Sequence, residues 1–429
     1  MKKIIKWIII IGTILIFAYA FSASYNSQNI DSLDYIIAIG VDTTPNSNNL
    51  QITFEFTDLG AFADSPSSES SAPILDTVIA PSLPEAINLM NAYEGRQINL
   101  SHCKVIVFSE EIAKLGILKD VTYLMNSPQI RPTTNIVISA EEASNYIENS
   151  TSSLESVLTK YYDIFPTSAE YTGYTSNILL GRFYQNIINP QSGAVAILGN
   201  KSNSSNANSS NKTDSQNTTS DFSQSLNKNI NTSNDQPLES ISSGEKILEG
   251  DRGTENIGLA VFKDNSLIGK LSAMETLCYT LIEEEVDNFL LSVDNPFEEN
   301  KKIDLSISSL EPAQIDIDLS GENPILNIKF NLTAKALTGQ DNLTFSKQDT
   351  LTRINDSLKN FLKTKMSDYL YKTSREFKCD LNGFYRIVKR KFLTLPDYQN
   401  YNWEKKYQNV VFNVDIDSNV ISSFLVQNS

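Results

Sequence analysis

Chemistry in this chain would have to come from one histidine, three cysteines and a large stock of carboxylates. A nucleophilic triad needs a histidine beside an activated serine, usually in a G-x-S-x-G setting, and no such setting accompanies His102. A lone histidine beside a strand reads as a hydrogen-bonded structural residue. Zinc asks for about four Cys or His ligands, usually in close pairs. Cys103, Cys278 and Cys379 are far apart, form no C-x-x-C pair, and each lies in an apolar stretch. Their odd number also argues against a disulfide framework, so three buried thiols are expected. No P-loop and no G-x-G-x-x-G is present. Among the 51 acidic residues, paired carboxylates for hydrolysis are not excluded by counting. Glu283-Glu-Glu285 is expected on the solvent face of a helix. Asp316 and Asp318 alternate with Ile315, Ile317 and Leu319, which places both on the solvent face of one strand. The basic run Lys389-Arg-Lys391, near Arg386, reads as a solvated helix end, with a membrane or an acidic partner as the alternative. No catalytic, cofactor-binding or metal-ligating residue emerges, no cofactor is expected, and the chain reads as non-enzymatic.

The elements that would have to position such groups alternate along the chain. Tyr35-Ile-Ile-Ala-Ile-Gly-Val41 is a continuous apolar run of strand length, suited to a strand covered on both faces. Turn residues from Thr43 to Asn49 follow. Leu50, Ile52, Phe54 and Phe56 then alternate with Gln51, Thr53 and Glu55, the pattern of a half-buried strand, so the two segments read as a hairpin. A Ser-rich loop at 66–72 precedes a helix with capping-box spacing at Ser82 and Glu85, an apolar face of Ile87, Met90 and Tyr93, and Gly95 at its end. Cys103 to Phe108 is a second buried strand, and Ser109 can cap a helix that starts at Glu110. Ile136-Val-Ile138 is a third strand, before a helix near 141–147. Such alternation predicts an α/β or α+β domain over 33–199.

Residues 200–250 are dominated by Asn and Ser and contain one aromatic, Phe222. They cannot bury enough apolar surface to offset their ordering entropy, so a disordered linker is expected. Beyond it, Ile257–Phe262, a turn at Lys263–Ser266 and Leu267–Leu271 read as a β-hairpin. With a helix from about Ala273 to Glu285 it forms a middle region at 255–300. A C-terminal α/β domain at 301–425 follows. It has alternating strands near 303–307, 315–319 and 326–332, and a long helix over about 350–377 with Leu351, Ile354, Leu358, Phe361, Leu362 and Leu370 on its apolar face. A last alternating strand runs from Val410 to Ile416. The predicted class is α+β, multi-domain, with mixed and antiparallel sheets carrying packed helices.

One transmembrane or signal segment, residues 1–24, comes first. Lys2, Lys3 and Lys6 precede the apolar run from Trp7 to Phe21, and no basic residue follows until Arg96. The positive-inside rule keeps this N-terminus in the cytoplasm and exports the rest. Ile4 to Ala23 is long enough to span a bilayer if Lys6 snorkels to the headgroups. A cleaved signal peptide is the alternative, with a small-residue site at Ala18-Tyr19-Ala20 or Ser22-Ala23-Ser24. The net charge of -16 makes the chain a poor nucleic-acid binder and opposes adhesion to anionic lipid, so something other than overall surface charge must hold it at a membrane.

Four patches carry a resemblance to a known family. Ile36-Ala-Ile-Gly-Val-Asp42 resembles an opening strand of the AIGID type. Ser101-His102-Cys-Lys-Val-Ile-Val-Phe-Ser-Glu-Glu-Ile-Ala-Lys-Leu-Gly116 is similar to a segment with H-x-K-V and then E-E-h-A-x-x-G. Gly258-Leu-Ala-Val-Phe-Lys-Asp-Asn-Ser-Leu-Ile-Gly269 resembles a G-x-A-V-F-K hairpin, and Cys379-Asp380-Leu-Asn-Gly383-Phe384 with Trp403 resembles D-x-x-G-F…W. In this order over about 33–425 they resemble the Ger(x)C spore germination proteins. The resemblance implies a non-enzymatic third subunit of a nutrient-germinant receptor in the inner membrane of spores of Firmicutes. It also implies two polytopic membrane subunits as partners. Family members are usually lipoproteins, and this chain lacks the lipobox cysteine, so its apolar segment is expected to take over as anchor. Structural roles are expected for His102, Gly258 and Gly269: a hydrogen bond for the first and turn geometry for the glycines. The competing readings are an extracytoplasmic cell-wall hydrolase and a stand-alone solute-binding protein.

Overall fold

A computed structural model describes residues 2–23, 32–45, 47–57, 74–150, 158–201, 241–243, 253–337 and 348–422. The Ser-rich loop at 66–72 and most of the expected linker lie outside them. The first sheet contains β1 (Leu33–Thr43), β2 (Leu50–Phe56), β3 (Ile74–Ala80), β4 (Gln97–Asn99), β5 (Val105–Ser109), β6 (Asn135–Ser139), β7 (Ala194–Lys201), β8 (Thr254–Lys263) and β9 (Ser266–Leu271). Their order is β3-β2-β1-β5-β6-β7-β8-β9, with β4 beside β1. The centre, β1-β5-β6-β7, is parallel. The flanks are antiparallel hairpins.

A parallel connection needs a crossover, and helices supply it here. Before the sheet stands α1 (Lys2–Ala23). Within it come α2 (Leu83–Glu94), α3 (Glu110–Leu115), α4 (Leu118–Asn126), α5 (Ala143–Asn149), α6 (Leu158–Ile164), α7 (Ala169–Thr172) and α8 (Leu180–Ile187). Covered on both faces, the central strands have every side chain from Val105 to Ser109 and from Asn135 to Ser139 buried, as the continuous apolar runs predict. The expectation for β2 is corrected. It lies inside the sheet between β1 and β3, and its polar residues Thr53 and Glu55 are as buried as Ile52 and Phe54.

The start of α2 is as expected. Ser82 accepts from the Glu85 backbone N–H, and Gly95 ends the helix in the left-handed region. Its buried face is Leu83, Ala86 and Met90, however, while Ile87 is half-buried and Tyr93 exposed. Ser109 precedes α3 without a side-chain cap bond.

The second sheet has β10 (Asn288–Asp294), β11 (Lys302–Ser309), β12 (Gln314–Asp318), β13 (Ile325–Ala336) and β14 (Val411–Ser422). The 12-residue β13 is its axis. Parallel β14 runs along one side of β13, while antiparallel β12 and β11 share the other. Between the two sheets in sequence lies α9 (Ala273–Ile282), which opens on a capping box of Ser272 and Glu275. Helix α10 (Gln348–Tyr371) continues as a π-helical turn, Lys372–Phe377. It buries Ile354, Leu358, Leu362 and Leu370, with Leu351 and Phe361 half-buried. Tyr371 meets Phe412 of β14 edge to face at 5.3 Å. Short helices α11 (Tyr385–Arg390), α12 (Leu395–Tyr401) and α13 (Trp403–Tyr407) lead into β14.

The hairpin at 257–271 is not set apart from the N-terminal strands. It completes the first sheet through β7. Nor is the linker wholly outside the fold. Ser243 Oγ donates to the Leu198 carbonyl at 3.0 Å and accepts the Ile257 N–H at 2.7 Å, and Ile241 is buried. Helix α1 exposes Ile4, Trp7, Ile9, Leu15 and Phe17. Among the described residues no helix is long and apolar enough to cross a membrane.

Candidate functional site

The three cysteines are buried and free. Burial pushes the Cys103 and Cys379 thiols up to about 12 and Cys278 further, so none is poised as a thiolate. His102 accepts or shares a hydrogen bond with Ser101 Oγ at 3.1 Å and meets the Tyr35 ring edge to face at 4.6 Å. Partial burial, with Arg131 and Lys104 nearby, lowers its basicity. Asp316 and Asp318 point to solvent as expected, and Lys391 pairs with Asp316 at 3.0 Å. Lys389, Arg390 and Lys391 form an exposed helix end. Among the described residues no group of three or more His, Cys, Asp or Glu is arranged to hold a metal.

Glu283 and Glu285 depart from expectation. The chain leaves α9 at Glu283, and Glu284 adopts a left-handed conformation. This turn aims Glu283 and Glu285 inward at Arg182 of α8, which bonds both. Arg182 also reaches the Tyr279 hydroxyl at 3.1 Å. Asn382 donates to Glu283 at 2.9 Å and accepts from Tyr369 at 2.7 Å. One arginine from the first sheet's helices thus bridges two acids beside α9, and an amide from the C-terminal part completes the network. The carboxylate pair is a clamp, not a solvated face.

The patches singled out in the sequence meet one another. Asp42, at the end of β1, caps α5 by accepting the Ala143 and Ser144 N–H groups at 2.6 and 3.0 Å. Gly40 is needed beneath that helix, because a Cβ there would stand 2.9 Å from Ile147 Cδ1. Thr43 donates to Glu111 at 2.7 Å, and Glu110 pairs with Lys270 of β9 at 2.6 Å. The β8–β9 turn docks on the same segment, since Asn265 Oδ1 accepts the Leu118 N–H at 2.7 Å. The hairpin's other face meets the C-terminal part. Lys263 donates to the Lys378 carbonyl at 3.1 Å and pairs with Glu404 at 3.2 Å, and Lys372 pairs with Glu275 at 2.8 Å. Gly258 has a φ of 91° and faces the Leu271 carbonyl. Gly269 is different from expectation. Its constraint is a close approach, because a Cβ there would lie 2.5 Å from the Phe377 ring.

Asp380 holds the last patch together. Its carboxylate accepts the Phe384 and Tyr385 N–H groups at 3.0 and 2.7 Å and the Trp403 Nε1–H at 3.1 Å. Burial pushes it up to about 6 against these hydrogen bonds, and its own carbonyl accepts the Gly193 N–H at 3.1 Å. A second buried acid carried no sequence signal. Glu55 is fully buried and accepts from Tyr162 at 2.7 Å, its other oxygen has no partner, and burial pushes it up to about 7. Arg182 was equally silent in the sequence, whereas Asp42 and Asp380 lie within the resembling patches.

At the carboxyl ends of β1, β5 and β6 opens a cleft of about 830 Å³. Asp42, Ser109, Glu110, Glu111, Glu141 and Glu142 are among its lining residues. Ligands in open α/β sheets bind at this end of the strands.

With these arrangements in view, residues 26–200 match the model of the spore germination protein N-terminal domain, and residues 257–423 match that of the spore germination B3/GerAC-like C-terminal domain. The second match begins at β8, although that strand completes the first sheet. No curated protein sequence matches. A solved structure described as the crystal structure of the GerBC protein is similar in fold, with a TM-score of 0.50 at 12% identity, covering 89% of this chain and 96% of the other. The two domain matches span the described fold and fall on the converging patches: the chain belongs to the Ger(x)C family of spore germination proteins, the family of germinant-receptor C subunits.

Proposed function

We propose that this chain is a non-enzymatic, extracytoplasmic subunit of a spore germinant receptor. It assembles with polytopic membrane subunits in the spore inner membrane, and nutrient germinants acting on that assembly trigger germination. The observation that carries this reading is the convergence of the family patches on the β8–β9 hairpin. One side of the hairpin holds the segment at 110–118, and the other holds the turn at 377–384. Such a tie links the two sheets through one hairpin, which suits a part that passes a displacement between partners. Three buried acids that burial could tune are already engaged: Glu283 and Glu285 by Arg182, and Asp380 by its helix and Trp403.

The N-terminal segment is the membrane tether in this proposal. Lys2, Lys3 and Lys6 stand at the start of a helix that exposes Ile4, Trp7, Ile9 and Leu15, and lipid would cover them. The decisive experiment is affinity recovery of the tagged chain from spore inner membranes, with mass spectrometry of its companions and its own N-terminus. Polytopic germination subunits together with an intact N-terminus are expected. Recovery with a mature N-terminus near Tyr25 would replace the tether by attachment through partners. Isolation without any polytopic germination subunit would overturn the reading.

A further inference from the structure

The cleft at the carboxyl ends of β1, β5 and β6 has a floor as well as a rim. In the parallel register Ser109 lies beside Ser139, and Phe108 lies beside Val41, so Asp42, Ser109 and Ser139 form a row across three strands. Asp42 is committed to the N-terminus of α5, and Ser139 bonds the Glu141 N–H at 3.3 Å. Ser109 has no such commitment. It is only 4% exposed, yet its Oγ has no hydrogen-bond partner. A buried hydroxyl left unpaired costs about 1–3 kcal/mol, so it is normally met by protein, water or ligand.

The rim is one-signed. Among the described residues, five carboxylates line the cleft, and no Lys, Arg or His does. Lys114 and Lys270 compensate Glu110 from outside. Glu111 accepts from Thr43, and Glu142 from Asn145, both neutral donors. Among the described residues no cation lies within ion-pairing distance of Glu111, Glu141 or Glu142. These acids stand on two elements, at the start of α3 and before α5, and form no metal-binding group. The charge is therefore too spread for one bare cation, and suits a molecule that offers ammonium groups at more than one point. An ammonium also donates three hydrogen bonds, which an unpaired hydroxyl and several carboxylates can accept.

We propose that this cleft is a binding site for a small organic polyamine, with Ser109 as the acceptor at its floor and Glu111, Glu141 and Glu142 as its charged rim. The volume falls within the usual span of small-molecule sites, about 300–1,000 Å³. A ligand carrying a free carboxylate would be repelled. The inference stands apart from receptor assembly, because the cleft belongs to the first sheet alone.

The test is calorimetric titration of the purified full chain in detergent with 1,4-diaminobutane, with succinate and potassium chloride as controls. A saturable 1:1 heat that weakens with added salt is expected for the diamine only. The variant carrying Glu141→Gln and Glu142→Gln should bind roughly ten-fold more weakly, from the loss of two charge-assisted contacts. Ser109→Ala should lose roughly ten-fold, as one hydrogen bond from a charged donor would give, and its melting temperature should not fall, because the hydroxyl has no protein partner to lose. No saturable heat up to about 10 mM, the limit of specific millimolar affinity, overturns the site. So does unaltered binding by the double variant, or an equal response to potassium. Partner recovery from spore membranes would be unaffected by any of these outcomes.

Discussion

The two sheets solve burial in opposite ways. In the first, helices lie on both faces, β5 and β6 are buried at every position, and polar groups such as Glu55, Asp42 and Ser109 are taken inside with them. In the second, α10 covers one face, and β10 and β14 alternate residue by residue between buried and exposed. Among its described strand residues every polar side chain except Ser418 is exposed or half-buried, and its solvent face carries a smaller groove of about 380 Å³. Side chains that could be tuned by burial are therefore concentrated in the first sheet and at the junction. Hydrogen bonds to Lys391 and Ser320 lower the exposed acids Asp316 and Asp318 of the second sheet.

That contrast can be broken most severely at the junction. Asp380→Ala leaves a buried Trp403 N–H and two backbone N–H groups without an acceptor, and should cost about 4 kcal/mol. Urea unfolding followed by the fluorescence of Trp403 would read it, and a loss below about 1 kcal/mol would show that Asp380 is dispensable.

Next comes Glu55. Its folded-state carboxyl sits near pH 7, above its ordinary value, so between about pH 5 and 7 the folded chain holds the proton and the unfolded chain does not. Stability should fall as pH rises through that window, by about 3 kcal/mol, and level off above it. Asp380 adds a smaller fall of the same sign, since burial raises it as well. Glu55→Gln keeps an acceptor for Tyr162 and should flatten most of this dependence, making the variant the more stable chain at pH 8. A wild-type stability that rises from pH 5 to 8 would contradict the burial assigned to β2.

Gly269→Ala should cost about 2 kcal/mol, because the Phe377 ring must move to admit a methyl group. A neutral result in thermal melts would mean that the hairpin does not pack tightly on the π-helical turn. The smallest effect is expected on the second sheet. Asp316→Asn removes an exposed pair with Lys391 and should change stability by less than about 0.5 kcal/mol. An effect as large as that of Glu55→Gln would erase the distinction between the sheets.

Much of this fold was legible in the chain. Apolar runs at 35–41, 105–108 and 136–138 become strands covered on both faces, because a strand with no polar side to show can only lie inside. The period-2 segments near 303–307, 315–319 and 410–416 become strands with one wet face. The Ser82–Glu85 spacing starts a helix because its bond is local, made within one turn. The candidate site was legible only in its separate pieces. Asp42, Glu110, Gly258 and Asp380 stood in recognisable patches, and nothing in their spacing said which would touch.

What the sequence determined by itself is therefore what depends on near neighbours and period: strand and helix type, caps, and the apolar face of α10. Only the tertiary structure decided which polar residues went inside. Alternation reveals that one face of β2 is apolar, but not that Tyr162 of α6 reaches Glu55 on the other, 107 residues away. Glu283 and Glu285 read as solvated until α8 brings Arg182 to them from about 100 residues upstream, as chain folding and not local propensity dictates. The hairpin joined the first sheet for the same reason: an unpaired edge at β7 must be met by some strand, and the choice among strands of like pattern is made by packing.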